Sequence, residues 1–212
     1  MSELTILNYI EGWRFWGIIP VWKTENEISF CRLKSLDYGI DDGTWFPRNP
    51  MKAICITHPR IPELCKSYNL NEPVPHFDGK CGIYAFKSKE NAAKQKAIIY
   101  SANPKILGKV ALWGKVIEHE IGCRGEWAYP FSLELGVCWK CKKLFPLGQT
   151  WLLREIQDWW LCGIIISCNS CLDITISYGS RFFDNSIIIS PPGWNLRLAA
   201  EYGIPKGVEE KI

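Results

Sequence analysis

Short apolar runs with a two-residue period recur along the chain and predict a β-rich fold. Gly12-Trp-Arg-Phe-Trp-Gly-Ile-Ile at 12–19 and Glu27-Ile-Ser-Phe-Cys-Arg-Leu at 27–33 alternate or are aromatic-rich, as half-buried strands are. Residues 81–86, Cys-Gly-Ile-Tyr-Ala-Phe, read as a further strand, after which Ser88 offers an N-cap for a helix over 88–100. From Ile106 to about Glu120 the pattern is that of a long strand or hairpin, and Gly108 and Gly114 inside it predict a bulge or a close backbone approach. Residues 173–178 and 186–190 read as two closing strands, and 193–202 as a last helix stopped by Gly203 and Pro205. The stretches 37–50 and 58–80, dense in Asp, Gly or Pro, are loops, and long loops in a compact domain usually serve a function.

Cysteine spacing adds a metal to this picture. Cys138 and Cys141 form one Cys-x-x-Cys knuckle and Cys168 and Cys171 another, with 26 residues between them. Four thiolates in two such knuckles make a tetrahedral structural zinc site, closed to substrate. Disulfides are the competing reading of ten cysteines. The first 22 residues carry Glu3 and Glu11 and no basic start or long apolar run, unlike a signal peptide, and no apolar stretch reaches the roughly 18 residues of a membrane span. The expectation is therefore a cytoplasmic protein with zinc at the knuckles, no membrane partner, and Cys31, Cys55, Cys65, Cys81, Cys123 and Cys162 as small buried hydrophobes.

Charge and aromatic content point to candidate partners. The net charge of +3 decides little, but residues 80–115 hold eight lysines against the single acid Glu90. Lys89, Lys94 and Lys96 on the predicted helix, with Lys105 and Lys109 beyond it, form a candidate phosphate footprint. Eleven tryptophans are available to stack flat groups as well as to fill a core. Trp16, Trp45, Trp113, Trp127 and Tyr129 are the stacking candidates, and Asp41, Asp42, Glu118, His119 and Arg124 the candidates for base-edge contacts. Solvated lysines and core tryptophans are the plain alternative for each.

The block Gly108-Lys-Val-Ala-Leu-Trp-Gly-Lys-Val-Ile-Glu-His-Glu-Ile-Gly-Cys-Arg124, preceded by the Cys-Gly-Ile-Tyr-Ala strand, resembles the core of a family of small uncharacterised bacterial and phage proteins, and the resemblance covers residues 81–130. Cys123 and Gly125 depart from that pattern, where an aromatic residue and an alanine are expected. More remotely, the order strand, helix, Gly-x-Val strand is similar to the PUA-like superfamily, which includes SRA, ASCH, EVE and YTH domains. That likeness implies a pseudo-β-barrel that binds RNA or DNA and takes a modified or flipped base into an aromatic pocket.

Two other functions remain open at this level. Glu118, His119 and Glu120 could act as acid and base or hold a catalytic metal, but consecutive strand residues face opposite ways and do not converge. A thiol of Cys81 or Cys123 beside His119 is the nucleophile alternative. Trp151, Trp159 and Trp160, the last two in an amphipathic segment over 152–161, could instead dock a protein partner. The expected fold is α+β: a mostly antiparallel PUA-like pseudo-barrel over 1–135, an inserted four-cysteine unit over 136–172, and closing strands and a helix over 173–212.

Overall fold

Strand β1 (Ile10–Thr24) is long enough to serve several partners. In the computed structural model, which describes residues 8–24, 27–36, 43–54, 74–77, 81–99, 104–156, 162–173, 189–190 and 194–203, it pairs antiparallel with β2 (Glu27–Ser35) through its second half. Its first half pairs with β6 (Lys105–Glu118), setting Trp13 opposite Lys109 and Trp16 opposite Ile106. On its other side Trp13 meets Phe86 of β5 (Ile83–Phe86). Strand β7 (Gly122–Pro130) pairs with both β5 and β6, so the ladder β1–β5–β7–β6 returns to β1. Short strands β3 (Thr44–Trp45) and β4 (Met51–Lys52) extend this sheet beside β2 and β7.

Each described pairing is antiparallel, as the alternating pattern predicts. Along β6 the residues Ile106, Val110 and Leu112 turn inward with Trp16, Leu33 and Ala128 to make the main core. The two glycines foreseen as special in β6 both are. A Cβ on Gly108 would lie 2.0 Å from the carbonyl oxygen of Ser132, so the crossing chain needs glycine there. Gly114 has φ 74° and sits where the β6–β7 register slips between Trp113 and Val116, a bulge.

The expected single helix over 88–100 is instead two short ones. Ser88 does cap the first, α1 (Lys89–Ala93), accepting from the Asn91 N–H at 3.1 Å. The helix breaks where the Gln95 N–H turns to the carbonyl of Ala92, three residues back instead of four, before α2 (Lys96–Ile99). Ala92 and Ile99 then pack with Phe15, Phe86 and Leu107 as a second apolar cluster, separate from the main core.

Strands β8 (Leu135–Val137) and β9 (Leu144–Pro146) continue the main sheet from β6 as a hairpin. A second sheet holds β10 (Thr150–Ile156) between β11 (Cys162–Cys168) and β12 (Ile189–Ser190). The start of the amphipathic stretch 152–161 is thus strand, while 157–161 lie outside the described residues. Leu147, Leu152, Ile164 and Ile166 share the main core with Trp16 and Leu33, so the cysteine-bearing unit packs as an extension of the main sheet's core. Of the two expected closing strands, 174–178 of the first and 186–188 of the second lie outside the described residues, and 189–190 form β12. Helix α3 (Trp194–Glu201) ends the described chain, with Gly203 at φ 63° just past it, as the Gly-Pro signal predicts. Among the described residues no helix is long and apolar enough to cross a membrane.

Candidate metal centre and aromatic face

The β8–β9 hairpin exists to make a tight turn at Cys138–Lys143. The Cys138 N–H donates to the Lys143 carbonyl at 2.9 Å, and the Lys142 N–H to the Cys138 carbonyl at 2.9 Å. Closing this turn puts Lys142 in the left-handed region, φ 59°, a conformation that favours glycine. The second knuckle follows β11: Cys168 ends the strand, and a 3-10 turn over Asn169–Cys171 presents Cys171. One bond ties the first knuckle to β11, the Trp139 N–H donating to the Ile166 carbonyl at 2.8 Å, and the Trp151 indole N–H on β10 fixes the second by donating to the Asn169 side-chain oxygen at 2.7 Å.

The result is four sulfurs, from Cys138, Cys141, Cys168 and Cys171, all within 4.8 Å of one another. They can hold a metal ion. Burial pushes the Cys138 thiol up, and backbone hydrogen bonds from Cys141, Cys168 and Lys140 more than offset this, bringing it down to about 7. Burial and the neighbouring sulfurs push Cys171 up to about 12. Ionised sulfurs this close oppose one another, which is the electrostatic problem a cation solves.

The sequence candidates for nucleic-acid contact divide sharply. Trp16 and Trp45 are fully buried and pack edge to face with centroids 5.7 Å apart, so neither offers a ring face to a ligand. Lys105, expected in the phosphate footprint, is 1% exposed; burial, and then Lys142, bring its ammonium down to about 8. Tyr129 is a strut: its hydroxyl accepts from the Arg48 N–H at 2.8 Å and donates to the Tyr202 carbonyl at 2.6 Å. Asp41 and Asp42 lie outside the described residues, as do Trp159 and Trp160 and the thiols Cys55 and Cys65. Lys94 is exposed, and for Lys96 only the backbone is described.

What the structure does bring together is a stripe across four adjacent strands. Trp13 of β1 lies opposite Lys109 of β6; Lys109 and Trp113 share a face of β6 by their spacing; Trp113 lies opposite Trp127 of β7; and Trp127 lies opposite Lys52 of β4. These side chains point away from the core that Ile106, Val110 and Leu112 fill. The three tryptophans are half-buried. The Lys52 ammonium sits 5.1 Å from the Trp127 ring centre, and those of Lys89 and Lys109 sit 5.5 and 5.9 Å from Trp13. Lys109 also reaches Phe131 at 5.9 Å, and Glu11 at 3.5 Å. Trp13 and Lys52 were missed by sequence reasoning because they belong to a site only through register.

Arg124 organises a second cluster at the β6–β7 turn. Only 5% exposed, it donates from Nε to Nε2 of His119 at 2.7 Å, and from its terminal nitrogens to the carbonyls of Cys81 at 3.1 Å and Phe77 at 3.4 Å. Burial, then the positive charges of Arg124 and Lys87, push the exposed His119 below the usual histidine range. Nucleophilic chemistry gains nothing here: burial and then Glu118 push the Cys123 thiol up, the opposite of activation. Among the described residues the four cysteines are the group that could hold a metal ion, and Glu118, His119 and Glu120 form no such group. No protein-family model, curated protein or solved structure matches this chain.

Proposed function

We propose that this chain is a nucleic-acid-binding protein whose four-cysteine centre holds a structural zinc ion. The observation that carries the binding reading is the aromatic–lysine stripe Trp13, Lys109, Trp113, Trp127, Lys52. Aromatic faces stack bases of any sequence and flanking ammonium groups neutralise phosphates, the combination that single-stranded nucleic acid needs. The closed ladder β1–β5–β7–β6–β1 supports, within this reading, a PUA-like pseudo-barrel. With Trp16 and Trp45 in the core, contact falls on the outer face of the sheet and not in a pocket lined by those two rings.

Zinc fits the donor set. Four sulfurs at about 2.3 Å from a tetrahedral ion lie about 3.8 Å apart, and these four need only small shifts to reach that spacing. Bound there, the ion would cross-link the β8–β9 hairpin to the end of β11 and leave no open position for catalysis.

Fluorescence anisotropy of the metal-loaded protein, against single- and double-stranded DNA and RNA at two salt concentrations, tests the function. Binding to single strands that weakens steeply with salt is expected; no binding to any oligonucleotide would sink the reading and move attention to a protein partner.

A further inference from the structure

The stripe accounts for sequence-tolerant stacking but offers nothing that distinguishes one base from another. The cluster around Arg124 does. One guanidinium, held in the protein, contacts two separate chain segments whose side chains face solvent: the β6–β7 turn through His119 and the loop before β5 through Phe77. Phe77 is 84% exposed, an unusual place for a phenyl ring, and Ile121 beside His119 is exposed as well. The backbone N–H of His119 closes the turn on Gly122 at 2.7 Å, so the imidazole is fixed at both its backbone and its ring.

The Arg124 bond has a chemical consequence. Arginine only donates, so Nε2 of His119 must carry a lone pair and the ring's proton must sit on Nδ1. His119 is thereby held as one neutral tautomer, with a single donor left to offer. Burial and the charges of Arg124 and Lys87 disfavour its protonated form, while Glu118 is engaged by Lys87 at 3.2 Å.

We propose that His119 and Phe77 form a base-selective subsite for an unpaired nucleobase, Phe77 stacking on the ring and the Nδ1–H of His119 donating to an acceptor on its edge, with Arg124 as the positioning residue. This rests on the nucleic-acid reading and adds specificity to it. A donor held in one orientation and aimed at one acceptor discriminates between bases, whereas stacking alone does not. Lysine contacts set the salt dependence, so the two roles separate in a binding experiment.

The test is anisotropy with four labelled homopolymeric single strands, comparing the native protein with His119→Ala and Phe77→Ala, both at exposed positions that leave the fold intact. The native protein is expected to prefer one base. His119→Ala should remove that preference, about a tenfold loss on the favoured strand, with the salt slope unchanged; Phe77→Ala should weaken all four strands about equally. Arg124→Lys, which keeps the charge but not the planar fork, should match His119→Ala in base preference while the protein stays folded by circular dichroism. Native binding whose base preference survives His119→Ala overturns the subsite and leaves the nucleic-acid function standing. Failure of the native protein to bind any strand overturns both.

Discussion

The phenolic oxygen of Tyr202, at the end of α3, accepts a hydrogen bond from the backbone N–H of Leu33 in β2 at 3.0 Å and donates to the carbonyl of Trp45. Both Tyr202 and Leu33 are buried. One hydroxyl therefore pins the last described helix to the β2–β3 edge of the main sheet and satisfies two main-chain groups there. Tyr202→Phe keeps the ring packing but leaves both groups unpaired. We expect it to lower unfolding stability by about 1–3 kcal/mol, measured by chemical denaturation. A change below about 0.5 kcal/mol would mean that α3 is held by Trp194 and Leu198 packing alone.

Lys142 sits in left-handed backbone geometry between the second cysteine of the first knuckle and β9. An L-residue with a Cβ pays roughly 1–2 kcal/mol there, and glycine pays almost none. Its ammonium rides 5.6 Å over the Trp139 ring, which returns part of that cost. Lys142→Gly should then raise thermal stability by up to about 1 kcal/mol, while Lys142→Val should lower it by more. The pair of melting curves decides whether the turn is strained at this residue.

The knuckles were legible because a metal site leaves a spacing signature in one dimension: Cys138, Cys141, Cys168 and Cys171 do converge. The long strand at Ile106 and its two special glycines were legible for a similar reason, since period and glycine placement are local. Lys105 misled because it reads as one lysine in a basic run, whereas its place in β6, between β1 and β8, buries it. Trp16 and Trp45 misled in the same way, since their burial is set by β1 and β3 both pairing with β2. The stripe through Trp13 and Lys52 and the link from Arg124 to Phe77 are products of register and loop path, which no single segment encodes.

Burial costs Lys105 its charge more readily than an exposed lysine. Its folded value is near 8 and its unfolded value about 10.4, so between those pH values the unfolded chain binds more protons, and this residue adds stability as pH rises. Cys31 and Tyr202, both pushed up to about 12 by burial, act oppositely above their unfolded values of about 8.5 and 10. The difference between native protein and Lys105→Met isolates the lysine. We expect Lys105→Met to gain at most about 3 kcal/mol at pH 7, with the gain shrinking toward pH 10. A difference that stays constant across that range would show that Lys105 remains fully charged in its buried site.

Removing one ligand tests the metal centre independently of any nucleic acid. Native mass spectrometry should show one zinc per chain, and Cys171→Ser should lose it. Because Leu147, Leu152 and Ile166 tie the unit into the main core, metal loss should lower the melting temperature without unfolding β1–β7. Chelation of the native protein should reproduce that shift and alter tryptophan fluorescence through Trp139, which lies in the first knuckle, and Trp151, which is bonded to the second. A chain that carries no metal after purification under reducing conditions with zinc supplied would refute the centre.

Stacking and charge in the stripe make separable contributions to affinity. Trp127 is half-buried opposite Trp113, so its replacement by alanine removes a stacking face without opening the core beneath Leu112 and Ala128. At about 1–3 kcal/mol per stacked base, Trp127→Ala should weaken single-strand binding roughly 5- to 150-fold and leave the salt slope alone. Lys109→Gln should do the reverse. It also frees Glu11, 3.5 Å away, to repel phosphate. The slope of log affinity against log salt should therefore drop by at least about 0.7, the value for one phosphate contact on a single strand. If Trp127→Ala changed the slope and Lys109→Gln did not, the charges and rings would be acting in exchanged roles, and the stripe could not be the strand's track.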